Sequence, residues 1–327
     1  MKIKKRLLGN TKIKCPIIGF GGAPVGNLFR NLTNLEAKLI LKESQKNKIN
    51  FYDTSPLYGY GLSEKRIGNF LKSLKRNQYL ISTKVGRYLV KEDKDKIDRG
   101  IFKGGLNFRP VIDYTYDGVM RSFEQSLKRL GVDHIDLCLI HDVDYFTHKN
   151  KFDFYFLQSL KGAYVALQKL KEEKLIKAIG LGLNDAEVAN KFIIKEQFDC
   201  VLLAGRYTLL DRSAEDKFFS TAIEKKVGII LAGIFNSGIL AKGLKKSTYF
   251  YKPIPTKTKN KYMEINKLCK KFNIPIQAAS IQFPLKNKNV SSIILGMDQV
   301  NQINENLKYL NIKIDKDFWN YLDNIST

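Results

Sequence analysis

The sequence predicts an α/β chain closed as a (β/α)8, or TIM, barrel. Three observations carry this expectation. Short, β-rich apolar runs recur eight times. Each is followed by a stretch with the amphipathic spacing of a helix. No glycine cluster meets the pattern that an open, dinucleotide-binding sheet requires. Alternating strands and helices imply a parallel sheet with right-handed crossovers, and eight such units suit closure.

The elements follow in order. The first run, 17–21, reads IIGFG and precedes a helix at 34–46. The second, 50–54, reads NFYDT; Gly59 and Gly61 then let the chain turn into a helix at 63–73. The third, 79–85, reads YLISTKV. The helix after it, 116–130, is the most fully specified. Val119, Phe123, Leu127 and Leu130 share one face, Thr115 can cap the start, and Gly131 suits the end. The fourth run, 134–141, reads HIDLCLIH and leads to a helix at 157–174. Runs at 178–183, 200–204, 228–233 and 292–295 precede helices at 185–194, 214–224, 259–272 and 300–309. Additional helices are expected near the C-terminus, at 276–286 and 318–325. Two segments exceed ordinary connections, 86–114 after the third strand and 236–258 after the seventh. Phe102, Phe108 and Pro110 mark the first as a folded lid. No repeat or low-complexity tract breaks the chain, so one domain is expected over 1–327.

Composition narrows the class. The 327 residues are 44% hydrophobic and 27% charged, which suits a soluble globular protein. No apolar run approaches the roughly 20 residues needed to cross a bilayer. The basic start, MKIKKRLLGN, has no apolar region behind it, so neither a secretory signal nor membrane attachment is expected, and a cytoplasmic location is. The net charge of +24 raises the question of a polyanionic partner. The lysines, however, are dispersed over helix faces and loops, and no nucleic-acid motif accompanies them. The charge reads as compositional bias that still attracts anionic ligands, and nucleic acid is not an expected partner. Cys15, Cys138, Cys200 and Cys269 are far apart and read as buried, inert thiols. With only three histidines and no ligand spacing, no metal site is expected.

A dinucleotide turn wants G-x-G-x-x-G. The cluster GFGGAPVG at 19–26 has Pro24 at the third glycine position. GLGLN at 180–184 is followed there by Asp185, and GYGLSE at 59–64 puts Glu64 there. None qualifies.

In a barrel of this kind catalytic side chains sit at the C-terminal strand ends. Reading those ends gives Asp53 and, five residues on, Tyr58; then Lys84; then His141. Each has a plain structural reading. Asp53 can make a turn, Tyr58 can anchor a loop, and His141 can be a satisfied core histidine. Lys84 resists such a reading, because lysine is rarely buried without a partner. Together the four make an acid/base device. A free phenol, with a pKa of about 10, is too weak a base near neutrality. A nearby ammonium favours the phenolate. Asp53 can hold Lys84, and His141 can hydrogen-bond a substrate oxygen. Tyr58 then exchanges a proton with that oxygen while hydride moves at the adjacent carbon.

This tetrad resembles that of the aldo-keto reductase superfamily. The resemblance spans nearly the whole chain. It rests on GFGGAPVGN at 19–27, FYDTSPLYGYGLSEKRIG at 51–68, TKVGR at 83–87 and DYTYDGVMRSFEQSLKRLG at 113–131. LIHDVD at 139–144, LLAGRYTLLD at 202–211 and IFNSGIL at 234–240 complete it. The resemblance implies a barrel using NAD or NADP without a Rossmann domain. It implies Tyr58 as general acid/base tuned by Lys84 and Asp53, with His141 orienting the substrate. The implied cofactor residues are Asn184, Phe235, Glu305 and Asn306. Departures occur there. Ala204 replaces a common glutamine, Asn184 follows Gly182-Leu183 instead of a serine, and Phe235 is an inexact counterpart of a stacking aromatic. Gly296 and Gln302 stand where NADP-preferring relatives carry cations, and Asp298 adds negative charge, which favours NAD over NADP.

The branch most similar oxidises cyclic hemiacetals. The implied reaction is oxidation of the anomeric hydroxyl of an aldose, of L-fucose, D-threo-aldose or L-galactose type, to a lactone. Pyridoxal, as its internal hemiacetal, is the alternative. Candidate substrate residues, chosen by position, are Ala23, Asn27, Phe108, Asp142 and Asn236. A small-molecule substrate, sugar or pyridoxal, and a monomer or homodimer are expected. Competing readings are an NADPH-dependent aldehyde or ketone reductase and a non-catalytic, cofactor-binding regulatory barrel.

Overall fold

The computed structural model describes residues 3–325, apart from the Lys246 side chain. The chain opens with an antiparallel pair, β1 (Lys5–Leu7) and β2 (Lys14–Pro16). Then come β3 (Ile18–Gly21), β4 (Phe51–Asp53) and β5 (Leu80–Val85). A second antiparallel pair follows, β6 (Arg87–Lys91) and β7 (Phe108–Ile112). The remaining strands are β8 (Ile135–His141), β9 (Ile176–Leu183), β10 (Cys200–Ala204), β11 (Gly228–Ala232) and β12 (Val290–Gly296).

Eight of these close a parallel barrel in the order β3-β4-β5-β8-β9-β10-β11-β12, with β12 returning to β3. The eight expected strands are these eight. Alternate residues of each strand face inward, as the two-residue period requires. Phe51, Leu137, Leu139, Leu202, Ile230 and Ile294 fill the barrel. Gly180 has a packing role here: a Cβ on it would lie 2.5 Å from Leu139 and 2.7 Å from Cys200. Leu8, Ile13 and Cys15, from the β1–β2 pair, join the same cluster. Outward-facing residues pack beneath the helices in a second, larger core. All four cysteines are buried and free.

The helices follow local chemistry. Thr33 caps Asn34–Lys46 by accepting from the Glu36 amide at 3.1 Å, and Glu36 reaches back to the Thr33 amide at 2.7 Å. Thr115 caps Tyr116–Leu130 by accepting from the Gly118 amide at 3.1 Å, and Gly131 ends it in the left-handed conformation at φ 64°. The helix expected at 157–174 begins earlier, at Phe152, and contains a π turn over Ser159–Tyr164. Gly162 sits in that turn, where a Cβ would come within 2.5 Å of the Tyr114 carbonyl. The helix expected at 214–224 starts only at Phe218, and 214–217 are turns.

The segment 86–114 folds mainly as the β6–β7 hairpin. Its tip meets the loop after β3, with Phe29 N donating to Ile101 O at 3.1 Å and Lys103 N to Asn27 O at 2.9 Å. Near the C-terminus, Thr256–Lys271, Ile276–Lys286 and Lys316–Ile325 form helices besides Val300–Leu310. Among the described residues no helix is long and apolar enough to cross a membrane.

Candidate active site

Strand geometry places the charged side chains. Asp53 is the last residue of β4 and Lys84 the fifth of β5. Both are almost fully buried, at 3% and 2% exposed. Lys84 Nζ donates to Asp53 Oδ2 at 2.8 Å and to the Thr54 carbonyl at 2.8 Å. Ser82 Oγ donates to Asp53 Oδ1 at 2.9 Å. Every buried charge in the pair thus has partners. Burial pushes the Lys84 ammonium down, but Asp53 and then Tyr58 outweigh it, and its pKa rises.

Tyr58 sits on the turn between β4 and helix Leu62–Leu71. Gly59, Tyr60 and Gly61 are all left-handed, at φ 63°, 55° and 92°. This is the backbone form for which glycine is suited. The cluster at 19–26 serves the same turn: a Cβ on Gly26 would lie 2.7 Å from the Tyr58 backbone. Lys84 Nζ stands 4.7 Å from the Tyr58 ring centre. The His141 ring meets the Tyr58 ring edge-on, with centroids 6.1 Å apart. Tyr60 is tied away, its hydroxyl donating to Asp98 O at 2.8 Å.

The sequence led us to expect that the ammonium would lower the Tyr58 pKa. The net direction is the reverse. Burial pushes the phenol up to about 12; Lys84 pulls it down, while Asp53 and Asp142 add to the rise. Desolvation of the anion outweighs one cation whose charge Asp53 already offsets.

His141 ends β8 and is 6% exposed. Burial, then Arg87 and Lys84, hold its pKa well below the ordinary value, so the ring is neutral near pH 7. Nδ1 lies 3.2 Å from Ser55 Oγ, which accepts from the Leu57 amide at 3.1 Å. The hydroxyl keeps its own proton to give to Nδ1, and the ring proton then sits on Nε2, which faces Asp142 Oδ2 at 3.4 Å.

The remaining candidates fare differently. Asn27 is buried and already bonded within the protein: Nδ2 donates one hydrogen to Asn31 Oδ1 at 2.8 Å, and Oδ1 accepts from Leu32 N at 3.0 Å and Arg66 Nη1 at 2.8 Å. It braces its loop, with both acceptor positions of Oδ1 taken. Ala23 lies at the start of the short Pro24–Gly26 turn. Phe108 lines an outer groove with Leu89, Leu106 and Gln125; Phe102 is instead the lid aromatic beside Tyr58, at 6.3 Å. Asp142 adjoins His141 and receives Asn184 Nδ2 at 3.1 Å on Oδ1. Asn184 is therefore engaged with Asp142. Phe235 is half-buried and packs against the outer core. In Val300–Leu310, Asn306 is buried and Glu305 is exposed, accepting from Asn301 at 3.3 Å.

Asn236 is buried and left-handed, at φ 45°. Its Oδ1 has no partner among the described residues. An orphaned buried acceptor between the ends of β10 and β11 fits an amide donor such as that of a nicotinamide.

Several site residues were not singled out from sequence. Ser55 and Arg87 lay inside quoted motifs without a role. Phe250 and Tyr251 come from the long segment after β11; Phe250 lies against Gly205, and Arg206 stacks on it at 4.2 Å. Tyr251 pairs with Phe29 at 5.8 Å. Arg30 reaches the Asp298 carbonyl at 2.9 Å. Two adjacent aromatics in a functional-length loop are the signal that Phe250 and Tyr251 offered.

Fold and site together define a closed parallel barrel with Asp53, Lys84 and His141 gathered at the C-terminal strand ends beside Tyr58. The model of the aldo/keto reductase family matches residues 17–327, and the chain belongs to that family. Its members use nicotinamide cofactors. Among curated relatives, the pyridoxal 4-dehydrogenase of Microbacterium luteolum is 36% identical, over 98% of this chain and 96% of its own length. The D-threo-aldose 1-dehydrogenase of a Pseudomonas species is 34% identical, over 93% and 92%. The L-galactose dehydrogenase of Arabidopsis thaliana is 30% identical, over 94% and 88%. Among solved structures, the holo form of an aldo-keto reductase from Bacillus halodurans superposes with a TM-score of 0.74 at 20% identity, over 99% of this chain and 96% of its own. That likeness concerns the fold.

Proposed function

We propose that the protein oxidises a cyclic hemiacetal to a lactone with a nicotinamide cofactor. One observation carries this reading: Tyr58 stands between a buried Lys84–Asp53 pair and the neutral His141 at a single mouth. His141 Nε2–H holds the substrate hydroxyl oxygen. Tyr58, as phenolate, takes the hydroxyl proton as the C–O bond becomes a carbonyl. The cofactor, when bound, accepts the hydride that leaves the anomeric carbon. In the reverse direction Tyr58 gives its proton to a carbonyl oxygen. Asn236, with Glu305 and Asn306 further along, are the residues we assign to holding the cofactor. Asn236 thereby moves from the substrate set to the cofactor set.

NAD is the proposed form. Gln302 and Asp298 bond each other, with Nε2 to Oδ1 at 2.8 Å and Oε1 accepting from the Asp298 amide at 2.8 Å. The nearby Arg30 is held by Glu36 at 2.6 Å. None of these groups offers an unpaired cation to a 2′-phosphate.

An aldose is the first substrate class, supported by the two sugar-dehydrogenase relatives. Pyridoxal is the second reading, and a specific observation favours it. Asn27, Asp142 and Asn184 are already bonded within the protein, whereas Phe102 with Tyr58, and Phe29 with Tyr251, form two aromatic pairs that offer stacking faces to a planar ring. The test is a panel of L-fucose, L-galactose and pyridoxal with NAD and NADP, beside simple aldehydes with NADPH. Lactone formation supports the proposal. Reduction of aldehydes with no oxidation of any hemiacetal would sink it.

A further inference from the structure

Arg87 follows Lys84 by three residues and begins β6, yet it plays no part in the proton transfer described above. It is 6% exposed, an unusual place for a guanidinium. Its Nη2 lies 3.2 Å from Asp142 Oδ2, and Nη1 donates to the His141 carbonyl at 3.4 Å. His141 Nε2 is 3.4 Å from the same Asp142 Oδ2. One carboxylate oxygen therefore faces both the guanidinium and the ring nitrogen that should meet the substrate.

The surroundings fix this arrangement. Asp142 is left-handed at φ 50°, a strained form for a residue with a side chain. Tyr114, fully buried, donates its hydroxyl to the His141 carbonyl at 2.7 Å and stands 3.1 Å from His148 Nε2. Asn184 holds Asp142 Oδ1 at 3.1 Å. The titratable or charged groups facing Asp142 are Arg87, Asp144, Lys84, His141, Tyr58, Tyr114 and Tyr251. Those facing His141 are Arg87, Lys84, Asp142 and Tyr58. Arg87 is also approached by Tyr114, Asp144 and Tyr58.

Lys84 is already committed to Asp53. Without Arg87, Asp142, whose side chain is 15% exposed, would be a half-buried carboxylate with no cation of its own. A buried charge without a partner is costly, and the nearest group able to become one is His141. The ring would take a proton, and Nε2–H, already 3.4 Å from Oδ2, would close on Asp142. We propose that Arg87 is a positioning residue that satisfies Asp142, leaving His141 neutral with Nε2–H free for the substrate oxygen. This rests on the reading of His141 as the substrate-orienting group.

The test separates that role from a purely structural one. In full-length protein, the 15N imidazole signals of His141 are followed from pH 5 to 9, with His141→Gln used for assignment. In the wild type His141 stays neutral through most of this range. In Arg87→Met its pKa should rise by about one unit or more, the scale of losing one close cation and gaining one close anion. kcat/KM should acquire an acid limb at the same pH. Arg87→Met/Asp142→Asn removes the anion as well, and should return His141 to neutrality and abolish the limb. A loss of packing alone would not be reversed in this way. If Arg87→Met does not fold, Arg87→Lys carries the test. It keeps the charge, so His141 should remain neutral at pH 6. A His141 that titrates as in the wild type in Arg87→Met, that is not restored by Asp142→Asn, or that is protonated at pH 6 in Arg87→Lys overturns the proposal. The imidazole signal needs no turnover. Failure of the hemiacetal reading would instead appear as a substrate panel without lactone, with these shifts intact.

Discussion

Replacing Lys84 by methionine probes the centre of the site. Methionine keeps most of the side-chain length and removes the charge. Two effects follow, and they can be separated. The first is on proton transfer. With Lys84 Nζ 4.7 Å from the Tyr58 ring centre, a unit charge at an effective dielectric of about 20 acts on the phenolate with about 3 to 4 kcal/mol. Its removal should lower the phenolate population, and kcat/KM for oxidation, by roughly two to three orders of magnitude. The second effect is on stability. Asp53 would keep only Ser82 as a partner, at 2.9 Å. Stranding a buried carboxylate in this way costs about 3 to 5 kcal/mol. The double variant Lys84→Met/Asp53→Asn removes the stranded charge and should recover most of the stability but none of the activity. The assay is initial-rate oxidation at several pH values beside urea unfolding. A folded Lys84→Met protein with kcat/KM within tenfold of wild type (about 1.4 kcal/mol) would show that the ammonium does not tune Tyr58.

Other outcomes follow from the same geometry. Burial holds the Tyr58 phenol at about 12, so its phenolate is scarce at neutrality and oxidation should accelerate as pH rises from 7 to 10; a flat profile contradicts the assignment. Tyr58→Phe should reduce kcat/KM by about 10² to 10⁴ while leaving cofactor affinity, read by fluorescence titration, near wild type. Gly86 adopts φ 99°, and a Cβ there would run into the Tyr114 ring; Gly86→Ala should destabilise by about 3 kcal/mol in urea unfolding. Gln302→Lys should shift the ratio of kcat/KM for NADP over NAD upward by about tenfold or more, the worth of one charge-assisted contact; no shift would place the 2′-position elsewhere.

Much of the architecture is legible before folding because it rests on local periodicity. All eight barrel strands and the caps at Thr115 and Gly131 answer to patterns a few residues long. The reactive set is legible for a related reason. A barrel brings successive strand ends to one mouth, so Asp53, Lys84 and His141 converge by position alone, with Tyr58 on the turn that follows β4. The β1–β2 pair escapes such reading because three-residue strands leave no period to detect. The π turn at Ser159–Tyr164 escapes it because the backbone of another segment accompanies it.

Side-chain partnerships are a different matter. Asn27 is polar and near the mouth, which suggests a ligand; only the approach of Asn31, Leu32 and Arg66 reveals its bracing bonds. Arg87 and Asp142 are 55 positions apart, and no local pattern links them. The Tyr58 pKa turns on the same distinction. The order of residues determines that an ammonium and a phenol share one end of the barrel, because strand register and turn length place them there. Folding determines how much water is left around them. Since desolvation of the phenolate outweighs the attraction of a cation already paired with Asp53, the direction of the shift belongs to the tertiary structure.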